Sequence, residues 1–373
     1  MLDHGERIAS AAADWGTTVD VDWLALLGER AAIDGLTNRG RTSCGGGTRL
    51  LRCADTWVAV SLARPSDTEL LPAWLTLAGA TSASRHVPVP ASADGSRWRA
   101  HESTWDWMSA LIASLPGTEL AAAAEVVGLP VGVLHERRPT ADRGVRVDAV
   151  GCASGAAGPP ATVVDLSTLW AGPLCAALLG ACGADVIKVS TTGRPDGTVL
   201  ADPAWNALLN GGKRTVEVDL ETVRGRAMLA DLISSADLVV ESARPRGLEQ
   251  LGIVARDVLA GPGGPRVWVS ITGHGRGSNR VAFGDDAAVA GGLVVTDADG
   301  PWFCGDAIAD PLSGVAAAAH AVACLRAGRR ALLDVALAGV AAAHAGATLP
   351  ASGATNAPPR ARCGRRSDAG SRR

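Results

Sequence analysis

Carboxylates are the residues of this chain best placed to do chemistry, and they gather in two short lines. One is FGDDAAVAGGL, with Asp285 and Asp286; the other is FCGDAIADPLSG, with Asp306 and Asp310. With a reference pKa of about 3.9 an aspartate is ionised at neutral pH, so it needs no separate base before it acts. Asp285 and Asp286 read as strand residues, where neighbours point to opposite faces and do not share a proton. Asp310-Pro311 stands before the apolar line VAAAAHAVACL, and on the residues alone this is a helix start with a capping carboxylate. His274 lies in the glycine-rich turn TGHGRG, which is not a GxGxxG pattern and reads as a solvent-facing position.

Ligand contacts have three candidate places. Trp170-Ala171-Gly172-Pro173 sits at the first strand-to-helix turn, where backbone approaches a ligand closely and a helix N-terminus favours phosphate. Lys213 and Arg214 follow a Gly-Gly turn and either reach that edge or form an ordinary surface pair. Gly45-Gly46-Gly47 permits positive φ and close approach to a substrate, or is a flexible turn before a strand. Eight cysteines without a CxxC pair argue for reduced thiols, with neither a metal site nor a disulfide framework.

The elements that must carry these residues are readable by pattern. VVDLSTLWAGPLCAALLGACGADVIKV has the form of a buried β-α-β unit, and strands in NGGKRTVEVDL, DLVVESARP and RVWVSITGHG continue the alternation with the helix TVRGRAMLADLISSA. The fold class is therefore α/β: a doubly wound parallel-sheet, Rossmann-like domain over 161–350 plus a smaller α+β domain over 15–138. A linker rich in Gly, Ala, Pro and charge spans 139–160, and the Arg-rich tail 351–373 reads as disordered. A chain of 373 residues, 47% hydrophobic, with a net charge of −3, has material for two cores and gives no reason to expect nucleic acid. No apolar run reaches the roughly 18 residues of a membrane span, and the start MLDHGERIAS lacks the form of a signal peptide, so a cytoplasmic protein is expected.

The order LWAGP, GADVIKV, LNGGKRTVEVDL, ADLVVESARPRGLEQLGI, VWVSITGHGRG, DPLSG and AGRRALLDVAL resembles the family III CoA-transferases, the group that includes formyl-CoA transferase, the carnitine CoA-transferases and the α-methylacyl-CoA racemases. Seven pieces in one order over Val163 to Ala342 carry this resemblance. SCGGGTRLLRCADTWVAVSL and GLPVGVL are similar to the family's small domain, which here precedes the nucleotide-binding-like half instead of following it. The chain reads as permuted, or as the join of a tandem duplication.

The resemblance implies CoA transfer from an acyl-CoA thioester to a carboxylic acid through an aspartyl-CoA intermediate. It makes Asp310, four residues before Gly314, the nucleophile, with Asp306 second. It also implies that Trp170, Ala171, Lys213, Arg214 and Arg244 bind CoA, which is a substrate and not a resident cofactor, and that Gly45 to Gly47 close over the aspartate as a lid. An interlocked homodimer follows from the same likeness. Departures are visible: Ser190, Glu221 and Gln250 stand where the family commonly has Glu, Lys and Arg, with Arg194, Arg244 or Arg246 as substitutes for the lost positive charge. Two alternatives stay open. One is an acyl-CoA racemase or epimerase, whose second base falls to Asp285 or His274; the other is a non-catalytic relative.

Overall fold

The computed structural model describes residues 1–80, 92–94, 97–152, 158–192, 196–198, 202–243 and 245–345. Arg194, Arg244 and the tail 351–373 therefore lie outside the described residues. The strands are β1 (Thr48–Arg52), β2 (Trp57–Ser61), β3 (Ser92–Asp94), β4 (Arg97–Arg99), β5 (Val131–Val133), β6 (Val145–Cys152), β7 (Thr162–Asp165), β8 (Asp185–Thr191), β9 (Arg214–Val218), β10 (Leu238–Glu241), β11 (Val267–Thr272), β12 (Val294–Asp297), β13 (Gly300–Phe303) and β14 (Arg329–Ala336).

Seven of them form one sheet in the order β6-β14-β11-β10-β7-β8-β9, parallel except at β6, which pairs antiparallel with β14. Starting from β7, successive strands add first on one side (β8, β9) and then on the other (β10, β11, β14), the doubly wound order with its reversal between β7 and β10. Central strands such as Val267–Thr272 are buried along nearly their whole length, because helices cover both faces. On one face Val163, Val240 and Val269 pack with Leu174 and Leu178 of the helix Ala171–Ala181 and with Val315 and Val322 of the helix Ala309–Arg326. On the other, Val164, Val239 and Trp268 pack with Leu229, Ile233 and Leu259. The side chains alternate between the two cores, as a pleated strand requires.

The α+β unit has an antiparallel sheet in the order β1-β2-β5 and a separate core of Leu51, Val58, Val60, Trp74, Trp105 and Leu120. Trp74 satisfies its buried indole N–H on the Leu120 carbonyl at 2.8 Å. Gly128, with φ +78°, ends the helix Gly117–Val127 in the left-handed conformation and turns the chain into β5.

Three expectations need correction. Residues 145–152, taken as linker, are the edge strand β6; the alternation Val145-Arg146-Val147-Asp148 is a strand signal that the surrounding Gly and Pro obscure. The start of the small domain also moves. Ile8, Ala11, Ala12 and Leu26, with Val19, Val21, Trp23 and Ile33, pack on the large core, so the chain up to about residue 33 covers the Rossmann-like unit and not the small one. Asp285 and Asp286 lie in the first turn of a helix, Gly284–Ala290, not on a strand.

Candidate functional site

The site is assembled from three helix starts that converge outside the sheet. The helix Ala309–Arg326 carries Asp310 in its first turn, and Gly284–Ala290 carries Asp285 and Asp286. The helix Ala171–Ala181, which begins after Trp170, runs beside the first of these: a Cβ at Gly314 would lie 2.7 Å from the Ala171 carbonyl, so Gly314 lets the two backbones touch. Asp310 is partly exposed at the surface. The Gly284 N–H donates to its carboxylate, and a Cβ at Gly284 would lie 2.4 Å from its Oδ2. Burial pushes its pKa up to about 7; Arg30 works against this, and the charges of Asp285 and Asp306 add to it.

Asp306 and Asp285 hold the frame of the site. Asp306 accepts side-on from Nε, at 2.7 Å, and Nη2 of the Arg30 guanidinium, and Arg30 lies 4.9 Å over the Trp170 ring. Asp285 accepts the Ala307 N–H at 2.9 Å and contacts the Thr48 hydroxyl at 3.4 Å, while Ser43 also bonds it. Ala307 is held at φ +42°, an unfavourable conformation for a non-glycine residue, and its carbonyl accepts the N–H of Asp310 at 2.9 Å. Asp286 is fully buried: Oδ1 accepts from Ser61 at 2.8 Å and from the Phe283 N–H at 2.9 Å, whereas Oδ2 has no partner. Burial raises Asp286 to about 7 and Asp285 to about 6. Through Thr48 and Ser61 the small domain's sheet is thus tied to the helix that carries these carboxylates.

The glycine loop lies against this cluster. Ser43 accepts the Gly46 N–H at 2.8 Å, Thr48 donates its N–H to Ser43 Oγ at 3.1 Å, and Gly47 accepts from Leu62 at 2.7 Å. Gly46, at φ +80°, is the one of the three whose backbone requires glycine. Cys44 between Ser43 and Gly45 feels the charges of Asp306, Asp285 and Arg30, and burial lifts its thiol to about 11, which keeps it neutral.

The expected CoA contacts are distributed differently. Trp170 is buried, edge-on to Trp205 at 4.8 Å, and Ala171 is buried at the helix start. Lys213 does not face a ligand: its ammonium donates to Asp165, the Pro173 carbonyl and Asn210 at 2.8 to 2.9 Å, which uses all three of its N–H groups. Lys188, the chain's other lysine, pairs with Asp196 at 2.8 Å and reaches Asp165 at 3.7 Å. Both lysines therefore brace one buried aspartate beneath the Trp170 turn, and the expected phosphate contact from Lys213 is withdrawn. Arg214 is an exposed partner of Asp185 on the edge strand. His274 is also not solvent-facing. Its Nε2 is buried, and desolvation with Arg280 and Arg137 nearby lowers its pKa to about 3, apart from the Asp310 cluster.

Among the site residues that pattern reading did not find, with Ser43, Thr48, Ser61 and Gly284, is Arg30. Its helix, Glu29–Ile33, is five residues long, and 276 positions separate it from Asp306, so no local spacing marks it.

Comparison with known proteins adds the following. A model of the family described as CoA-transferase family III matches residues 161–371, more than half of the chain. An acyl-CoA transferase of Fusarium pseudograminearum is 36% identical over 159 residues, which cover 37% of this chain and 35% of that protein. The succinyl-CoA–D-citramalate CoA-transferase of Chloroflexus aurantiacus is 29% identical over 195 residues, 46% of this chain and 47% of that protein. Among solved structures, a CAIB/BAIF family protein from Brucella suis is 28% identical with a TM-score of 0.44, over 48% of this chain and 53% of that one. The chain spans about a third to a half of the length of the curated relatives it matches. With Trp170, Gly284, Asp306 and Asp310 all inside the matched residues, the chain belongs to CoA-transferase family III.

Proposed function

We propose that the protein moves CoA from an acyl-CoA thioester to a carboxylic acid, with Asp310 as the covalent carrier. The Asp310 carboxylate attacks the thioester carbonyl, the carbon–sulfur bond breaks, and CoA leaves as thiolate from an acyl-aspartyl anhydride. The thiolate then attacks the aspartyl carbonyl, giving an aspartyl-CoA thioester and releasing the first carboxylate. An incoming carboxylate reverses the two steps on its own carbon and regenerates Asp310. No proton, oxidant or metal is needed in this exchange, and the thioester bond energy is retained.

The observation that carries the reading is the placing of Asp310. It is a half-buried residue at a helix start, with the Gly284 N–H directed at its carboxylate and the Trp170 turn beside its helix. That turn lies at the point where strand order reverses, the usual crevice for a nucleotide in a doubly wound sheet. Asp285 is less suited to be a racemase base, since the Ala307 N–H and the Thr48 and Ser43 hydroxyls already engage it. From the family the reading also takes CoA as a substrate, an interlocked homodimer and a cytoplasmic setting; the elution volume of the full chain tests the dimer.

Intact-protein mass spectrometry after mixing with a panel of acyl-CoAs tests the chemistry. A CoA-sized adduct that hydroxylamine removes and that Asp310→Ala lacks is the expected result. An adduct that persists in Asp310→Ala moves the nucleophile elsewhere. No adduct, together with deuterium exchange at the acyl α-carbon, replaces the proposal with a racemase. Neither adduct nor exchange leaves a non-catalytic relative.

A further inference from the structure

A ring of hydrogen bonds closes around the nucleophile. The Gly284 N–H donates to the Asp310 carboxylate, the Asp310 N–H donates to the Ala307 carbonyl at 2.9 Å, the Ala307 N–H donates to Asp285 Oδ1 at 2.9 Å, and Asp285 follows Gly284 in the chain. The ring joins the first turn of the helix Gly284–Ala290 to the turn that leads into the helix Ala309–Arg326. One member is in an unfavourable conformation. Ala307, at φ +42°, occupies the left-handed region without being glycine. A strained residue persists there only when its surroundings over-determine it, and here Asp285 holds its N–H while Asp310 takes its carbonyl. Asp285 is itself held from the small domain, by Ser43 and by Thr48 Oγ1 at 3.4 Å. Ser43 and Thr48 flank Gly45 to Gly47 and bond each other, Thr48 N–H to Ser43 Oγ at 3.1 Å. The seat of the glycine loop is therefore continuous, through Asp285 and Ala307, with the backbone of Asp310.

We propose that Asp285 is a positioning residue for the reaction at Asp310: its carboxylate holds Ala307 in the left-handed conformation, and the Ala307 carbonyl in turn sets the backbone of the nucleophile. This rests on the reading of Asp310 as carrier. What Asp285 supplies is a hydrogen-bond acceptor, and not a base. Asp285→Asn keeps an oxygen for the Ala307 N–H, and its NH2 group donates to the Thr48 hydroxyl, which turns to Ser61 Oγ at 2.9 Å. Asp285→Ala keeps no acceptor. Glycine at position 307 adopts a positive φ without the Cβ penalty, so the turn then depends less on Asp285.

The test measures the rate of CoA-adduct formation by the full-length protein at pH 8.5, where Asp285 and Asp310 are both ionised, with the acyl-CoA that labels the parent fastest. A nucleophile displaced by about 1 Å loses on the order of a hundredfold in rate, and this is the loss expected of Asp285→Ala. Asp285→Asn exchanges a charge-assisted bond for a neutral one and is expected to stay within about fivefold of the parent. In the Ala307→Gly background the left-handed penalty, roughly tenfold in population, is gone, so Asp285→Ala is expected to cost only about tenfold there. A loss in Asp285→Asn equal to that in Asp285→Ala makes Asp285 a base, and an equal cost of Asp285→Ala in both backgrounds takes Ala307 out of the path; either result overturns the proposal. If Asp285→Ala does not fold alone, the comparison within the Ala307→Gly background decides, and a cost of about a hundredfold there overturns it. In protein labelled with nitrogen-15 alanine and aspartate, the Ala307 and Asp310 amide signals are assigned by their loss in Ala307→Gly and Asp310→Asn. Both are expected to move in Asp285→Ala and to move far less in Asp285→Asn. A parent that makes no Asp310-dependent adduct rejects the transfer reaction, and the amide signals then decide the positioning alone: an Asp310 signal that stays while that of Ala307 moves overturns it.

Discussion

Gly284→Ala is the smallest change that separates the site from its scaffold. The added methyl carbon would lie 2.3 Å from the Ala307 carbonyl oxygen and 2.4 Å from Asp310 Oδ2, where contacts under 3.0 Å are essentially never made. Ala307 cannot easily retreat, because its N–H is held by Asp285 at 2.9 Å and its carbonyl receives the N–H of Asp310 at 2.9 Å. Something must therefore move by about 1 Å, and the carboxylate of Asp310 is the less constrained of the two. A displacement of that size at a nucleophile costs on the order of a hundredfold in rate. Overpacking costs about 1–3 kcal/mol of stability, against a gain of about 1 kcal/mol that alanine brings to a helix. The assay is a rapid quench with intact-mass detection of the CoA adduct, paired with urea denaturation. Adduct formation is expected to fall about a hundredfold while CoA binding stays within about twofold, with a net loss of stability. A variant that forms adduct within about threefold of the parent, or that is more stable than it, refutes the steric argument.

Two further outcomes follow from the buried charges. Lys213→Met leaves Asp165 with Lys188 at 3.7 Å as its remaining cation, and the loss of one partner from a buried pair is expected to cost about 3–5 kcal/mol in denaturant unfolding, while the exposed Arg214→Met leaves the midpoint unchanged. A small effect of Lys213→Met would mean the pair is solvated. Asp286 has its folded pKa raised from 3.8 to about 7, so its contribution to stability is fully present below about pH 4 and is lost as pH rises through about 7. Three units correspond to at most about 4 kcal/mol. Asp286→Asn is therefore expected to shrink the difference in unfolding free energy between pH 5 and pH 8.5, and an unchanged difference would remove Asp286 from the account.

The doubly wound sheet was legible because its signals are local. Val163 to Asp165, Val186 to Val189 and Val267 to Ile271 are short apolar runs buried on both faces, and Thr222 caps the following helix through the Gly225 N–H at 2.9 Å. The same locality explains the misreading of Asp285. Its helix is seven residues long, too short for a 3.6-residue period to stand out, and its N-terminal partner is the side chain of Asp286 itself, bonded to the Phe283 N–H. Lys213 was misplaced for another reason. A lysine after Gly-Gly looks exposed in one dimension, and only the adjacency of β8 and β9 beside β7 brings it under the Trp170 turn, where Asp165 takes it.

Arg30 marks the limit of this kind of reading. Its place depends on contacts with Asp306 and Trp170, which come from different elements, and on a segment whose apolar residues pack on a domain that follows it by more than a hundred positions. The family match begins at residue 161, so the half of the chain that supplies Arg30, Ser43, Thr48 and Ser61 is outside it, yet these residues grip Asp306, Asp285 and Asp286 inside it. The carboxylates are thus encoded in one half of the chain, and their ionisation and placement in the other. A fragment that begins at residue 161 would keep Asp310 but lose the cation and the hydroxyls that hold its neighbours. Asp310 and Asp285 would keep the N–H groups of Gly284 and Ala307 and lose the Arg30 charge.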